Sequence, residues 1–308
     1  MKTGQGKIAV KKMILTGLTG LCALAVCAAR EVVPFNEGWR FARFGPMPDG
    51  TERAEPEGLE NSAADDAGWR RLNLPHDWGI EGPFRAELPN STGKLPWAGI
   101  GWYRKHFEIA EADRGQRVFI DFDGAMSRAK IWLNGNYIGE WPYGYSSFRM
   151  ELTDHLNFGG ENVLAVRLDN PQESSRWYPG GGIYRNVWLV KTAPVHVSHW
   201  GTSVTTPEVS ADRAAVRIET RVMNQSGDAA EILLRHEIYE KTNPEAPTAR
   251  LVLKKTIEAG AESSFDGSVT LSDPKLWDVT APNLYEVRTA VIQENRTVDS
   301  YQTTFGIR

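Results

Sequence analysis

Residues 174–185 read Ser-Ser-Arg-Trp-Tyr-Pro-Gly-Gly-Gly-Ile-Tyr-Arg, which packs aromatic, cationic and glycine residues into a loop between two expected strands. Aromatic faces stack on the C–H faces of sugars, and a guanidinium fork bonds paired hydroxyls. Arg176, Trp177 and Tyr178 are therefore candidate contacts to a carbohydrate edge. The same residues also fit a purely structural reading, with Trp177 and Tyr178 as core plugs beneath a tight glycine turn. Other chemistries find no support. Gly93-Lys94 lacks the glycine spacing and following Ser/Thr of a phosphate loop, and Gly180-Gly181-Gly182 follows a loop instead of opening a helix. No Gly-x-Ser-x-Gly elbow is present. His196 and His199 lie an odd number of residues apart in an expected strand, which sends them to opposite faces and argues against a shared metal. Glycoside hydrolysis needs two carboxyl groups roughly 5 to 10 Å apart. The acids here are scattered through turns and polar faces, so no catalytic residue, metal ligand or cofactor site is assigned.

The elements that must position this loop are strands. Residues 117–123 (RVFIDFD) place Val118, Ile120 and Phe122 on one face and Phe119 and Asp121 on the other. Residues 130–141 (KIWLNGNYIGEW) carry Asn134-Gly135 between two apolar runs, the pair that supplies the positive φ angles of a type I′ hairpin. Alternation returns over 162–169 and 183–191, and no helical period is evident. Residues 30–192 thus read as an antiparallel sandwich of jelly-roll type. Composition changes at 193–197: of the eleven Trp, only Trp277 lies beyond Trp200. Residues 214–223 put Val216, Ile218, Thr220 and Val222 inward against Arg217, Glu219 and Arg221. Short runs over 232–239, 250–257, 264–271, 284–292 and 298–305 complete the pattern of an immunoglobulin-like sandwich over 193–308. The fold class expected is all-β, two sandwiches in series.

Residues 1–29 read as an address. Lys2, Lys7, Lys11 and Lys12 precede an apolar run over 13–26 and the small Cys27-Ala28-Ala29, the layout of a secretory signal peptide. A lipid-modified Cys27 is the competing reading, although Val26 stands where such signals favour a small residue. Either processing exports the protein, to a bacterial periplasm, outer membrane or medium. Without this segment the 35 basic residues fall to 31 against 39 acids, a net charge of −8. That balance is a poor match for nucleic acid. Both cysteines, Cys22 and Cys27, fall in the segment, so the rest of the chain has no disulfide, thiolate metal site or cysteine nucleophile.

Several motifs occur in an order that resembles glycoside hydrolase family 2, with a bacterial β-galactosidase flavour. They are Leu74-Pro75-His76-Asp77-Trp78, Gly101-Trp102-Tyr103-Arg104-Lys105, Phe122-Asp123-Gly124-Ala125-Met126, Trp132-Leu133-Asn134-Gly135 and Gly144-Tyr145-Ser146-Ser147-Phe148. Arg176-Trp177-Tyr178-Pro179-Gly180, Gly182-Ile183-Tyr184-Arg185, Pro282-Asn283-Leu284-Tyr285 and the final Phe305-Gly306-Ile307-Arg308 follow. The resemblance covers essentially all of residues 30–308. It implies a sugar-binding-type jelly roll, an immunoglobulin-like sandwich, and then a (β/α)8 barrel that bears both catalytic glutamates of a retaining exo-glycosidase. The lone Asn36-Glu37 matches the first jelly-roll strand and not the acid/base position. By this resemblance the chain is a non-catalytic front part, inactive alone, whose partners are the missing barrel and the terminal sugar of a glycan. A family loop that helps hold the terminal sugar corresponds to Ser175, Arg176 and Trp177, where some members carry an acid. Asp77 is a second candidate contact, or an Asp that closes a turn beside a buried Trp78. A free-standing carbohydrate-binding or adhesion protein, and a β-glucuronidase or β-mannosidase type of the same family, remain open alternatives. Self-association into a homo-oligomer is also open.

Overall fold

A computed structural model describes residues 30–308, so the expected export segment and Cys27 lie outside the described residues. The first part runs β1 (Glu31–Pro34), β2 (Trp39–Pro46), β3 (Glu52–Arg53), β4 (Arg70–Leu72), β5 (Gly99–Glu108) and β6 (Arg117–Phe122). It continues with β7 (Ala129–Leu133), β8 (Asn136–Trp141), β9 (Phe148–Glu151), β10 (Glu161–Asn170) and β11 (Val187–Thr192). One sheet has the order β1-β11-β6-β9, and the facing sheet β3-β2-β5-β10-β7-β8 with β4 added on β2. The second part runs β12 (Val195–Val209), β13 (Arg213–Asn224), β14 (Ala230–Glu240), β15 (Ala249–Ile257), β16 (Glu262–Ser272), β17 (Tyr285–Gln293) and β18 (Arg296–Phe305). Its two sheets are β12-β13-β16 and β15-β14-β17-β18. Among the described residues there is no α-helix, only three single-turn 3-10 helices.

Alternation explains both cores. Val118, Ile120 and Phe122 of β6 are fully buried in a cluster with Trp39, Phe41, Trp78 and Tyr103. In β13, Val216, Ile218, Thr220 and Val222 are fully buried while Arg217, Glu219 and Arg221 face water. The hairpin joining β7 to β8 turns on Asn134 (φ 52°) and Gly135 (φ 83°), both in the left-handed region that a type I′ turn requires. Asn134 does more than turn. Its side chain accepts from Val163 N at 2.9 Å and donates to His155 O at 2.8 Å, pinning the hairpin to β10.

One expectation shifts. Residues 183–186 are not strand, because Ile183 O accepts from His76 N and Gly182 pairs with Met126, which bends the chain before β11 begins. The histidines at 196 and 199 lie on β12, whose register slips between Val197 and Thr202 around Trp200 at φ 49°. His196 is buried edge-on to Phe119, with Nδ1 2.9 Å from Ala193 O, and His199 stacks on Trp200.

Candidate functional site

Three long connections meet at one end of the first sandwich: residues 73–98, 142–147 and 171–186. The glycine run lies against the first of them. His76 N and Trp78 N donate to Ile183 O and Gly181 O, each at 2.9 Å, while Met126 and Gly182 exchange two backbone bonds on the other side. A Cβ at Gly181 would stand 2.9 Å from the Trp78 indole, and one at Gly182 (φ +115°) 2.4 Å from the Tyr103 hydroxyl. These glycines exist so that backbone can lie on buried aromatic rings. Trp78 is stacked on Phe41 and donates its indole N–H to Trp97 O at 2.7 Å.

On this base Asp77 and Tyr178, 101 residues apart in sequence, are brought together. Asp77 Oδ1 accepts from Gly79 N at 2.9 Å, closing a turn, and from the Tyr178 hydroxyl at 2.7 Å. Burial, then the bond to Asp77, push the Tyr178 phenol well above its ordinary pKa, so it stays a donor. Asp77 thus closes the turn expected of it beside Trp78, and its second partner is the loop's Tyr178.

Trp177 is not a core plug; it is 59% exposed. Its indole donates to the Tyr145 hydroxyl at 2.9 Å, and that hydroxyl donates to Pro179 O at 3.2 Å. Tyr143 packs edge-on against Tyr145. The result is an exposed aromatic ledge of Trp177, Tyr145 and Tyr143, held by hydrogen bonds rather than by burial. Arg176 is exposed beside it, with no hydrogen bond or ion pair among the described residues. Sequence reasoning missed Tyr143 and Tyr145 as site residues. Their signal was the Trp141-Pro142-Tyr143-Gly144-Tyr145 run directly after the Asn134-Gly135 hairpin.

A second missed feature is a cavity of about 370 Å³, a size that suits a small ligand. The loop supplies Glu173 and Ser175 to it, and Arg43, Arg85, Leu95 and Trp97 complete much of its wall. Arg43 follows Trp39 and Phe41 on the inward face of β2, so a guanidinium caps the apolar core. Its Nη2 donates to Pro96 O at 2.6 Å and Ala98 O at 2.7 Å. Burial pushes this guanidinium down to about 10, opposed by the charge of Glu81, and it remains a cation at neutral pH.

The arrangement presents aromatic rings, a guanidinium and fixed backbone at one end of the sandwich. A glycosidic general acid is a carboxyl held above its ordinary range. Burial alone would raise Glu81, yet the bond from Arg70 and the neighbouring His76 outweigh it and hold the carboxyl low. Among the described residues no three His, Cys, Asp or Glu side chains come together to hold a metal.

Two family descriptions match the chain: "Glycosyl hydrolases family 2" over residues 195–308 and "Glycosyl hydrolase 2 galactose-binding domain-like" over residues 88–179. The chain belongs to glycosyl hydrolase family 2. Among family 2 relatives, a β-galactosidase of Bacteroides ovatus is 40% identical over 94% of this chain and 33% of its own length. A β-glucuronidase of Formosa agariphila is 28% identical over 91% of this chain and 30% of its own length. A solved family 2 structure from Bacteroides cellulosilyticus superposes with a TM-score of 0.81 at 34% identity, covering 90% of this chain and 35% of that one. The chain therefore spans about a third of the length of the family 2 relatives it matches, and it corresponds to their N-terminal, non-catalytic part.

Proposed function

We propose that residues 30–192 and 193–308 are two structural units that together form the non-catalytic front part of a retaining glycosidase of β-galactosidase type. In this reading the first unit walls the pocket for a terminal β-linked sugar, and a catalytic barrel supplies both carboxylates. The Asp77–Tyr178 bond is the observation that carries it, because it fixes the loop while leaving Arg176 and Trp177 turned outward. A stacking ring and a free guanidinium held in place suit a sugar's C–H face and hydroxyls. The β-galactosidase type is favoured by the 40% identity to the Bacteroides ovatus β-galactosidase. The unpaired Arg176 also suits a sugar carboxylate, so the β-glucuronidase type is tested beside it. Residues 1–29 support export, which cell fractionation with antibody detection checks.

The test is to fuse residues 30–308 to the catalytic portion of the Bacteroides ovatus relative in place of its own front third. The fusion is expected to release nitrophenol from the β-galactoside faster than from the β-glucuronide, while residues 30–308 alone release none from either. A folded fusion without activity, or activity in residues 30–308 alone, contradicts the assignment.

A further inference from the structure

The outer face of the larger sheet in the first sandwich carries a second aromatic surface, and no residue lining it lines the cavity beside the loop. Trp132 on β7 stacks on Trp102 of β5 at 5.4 Å and 24°, and Tyr137 on β8 meets its edge at 5.7 Å. Trp102 is buried, but Trp132 is only half-buried and Tyr137 is exposed. The Trp132 indole N–H has no acceptor among the described residues. Trp132 and Trp102 line one side of an open groove of about 720 Å³ whose other side is residues 55–60, and Tyr137 lies beside Trp132.

The groove's far wall is held rigidly. Fully buried Arg104 donates from Nη1 to Leu59 O at 2.6 Å and Asn61 O at 2.9 Å, and from Nη2 to Ser62 O at 3.1 Å. Its Nε bonds Asp66 at 2.8 Å. Glu55 takes a two-pronged bond from Arg167 at 2.7 and 2.9 Å and the indole N–H of Trp102 at 2.5 Å. By contrast the side chains of Glu57, Glu60 and Lys130 make no hydrogen bond or ion pair among the described residues. The groove therefore offers a preorganised ring face, a free N–H donor, two free carboxylates and a free ammonium.

We propose that this groove binds a neutral polysaccharide chain, separately from the terminal-sugar site. Three carboxylates against two cations disfavour an anionic glycan, and the one accessible indole gives an apolar peptide little surface to bury. A neutral sugar chain presents both a C–H face for Trp132 and Tyr137 and hydroxyls for Glu57, Glu60 and Lys130. Such a groove would keep an enzyme on its substrate while chain ends are trimmed elsewhere.

Affinity gel electrophoresis of the protein through soluble galactan, mannan and mixed-linkage β-glucan tests this, with polygalacturonate as the anionic control. Retardation is expected in at least one neutral gel and not in polygalacturonate. Trp132→Ala should weaken it roughly tenfold, and Trp177→Ala should leave it unchanged, which separates this groove from the loop site. Should Trp132→Ala fail to fold, Glu57→Ala combined with Glu60→Ala carries the test, with an expected loss of about threefold or more. No retardation in any neutral gel, or retardation unchanged in the groove variants, overturns the proposal. So does a dimer that sedimentation shows to dissociate in Trp132→Ala without glycan binding, which would give the groove to a second copy of the chain.

Discussion

The two sandwiches use buried volume differently. The first fills its interior with Trp39, Trp78, Tyr103 and Phe122 and leaves long connections at one end. The second is packed with Val216, Ile218, Ile232, Leu234, Val287 and Val291 along long, regular strands joined by shorter connections. Large rings reach beyond the sheets, so they can seat irregular backbone such as the Gly181–Gly182 segment on Trp78. Aliphatic side chains fill only the space between sheets. The difference separates a part built to present loops from a part built to hold position.

The largest effect is expected from Trp78→Ala. It removes a fully buried ring that supports the glycine run and stacks on Phe41, at a cost of about 3 to 5 kcal/mol. Calorimetry should show the transition of the first sandwich lowered and that of the second little changed. Equal lowering of both would mean that the two do not unfold as separate parts.

The second sandwich has its own weak point, His236. It is fully buried with Nδ1 2.9 Å from Thr289 Oγ1, and burial pushes its pKa from 6.5 to about 4. A lowered folded-state value means the unfolded chain takes up the proton first, so stability is full above about pH 6.5 and falls as pH drops toward 4. The loss attributable to this one group is about 3 kcal/mol at most. Urea unfolding of the second sandwich in His236→Gln should show a flatter pH dependence across that window than the parent.

A smaller effect is expected at the first sandwich's hairpin. Asn134→Ala with Gly135→Val puts Ala and a β-branched residue where φ is positive and deletes the bonds to Val163 and His155. A loss of roughly 1 to 3 kcal/mol in urea unfolding is expected.

Smallest of all is Arg176→Ala. The side chain touches no hydrogen-bonding or charged partner among the described residues, so stability should change by less than about 0.5 kcal/mol. A larger drop would place this arginine with the supporting side chains instead of the loop's outward face.

Legibility in the sequence followed the same divide. Alternation in residues 214–223 and the Asn134-Gly135 pair stated their structure locally, because a two-residue period and a positive φ are properties of neighbours. β5 was harder to read, since Arg104 is fully buried within it and is satisfied by backbone carbonyls of residues 59–62, more than forty positions away. β12 was legible only at its start, around His196 and His199, because its register slips between Val197 and Thr202. In the site, Arg176 and Trp177 were legible as chemistry, but whether Trp177 was plug or ledge depended on Tyr145, and the partner of Asp77 was 101 residues downstream. Arg43 was illegible for a simpler reason: the alternation that buries Trp39 and Phe41 carries an arginine inward with them.

In the function proposed above, the loop of residues 174–178 holds sugar for a catalytic centre it does not contain. Its most direct test is steady-state kinetics and thermal unfolding of Trp177→Ala in the active fusion of residues 30–308 with the Bacteroides ovatus catalytic portion. An exposed ring that stacks on substrate predicts that KM for a β-galactoside rises roughly fivefold or more while the melting temperature stays within about 1 °C. Unchanged kinetics, with or without a fall in melting temperature, would contradict the account and leave the ledge a structural feature of the sandwich end.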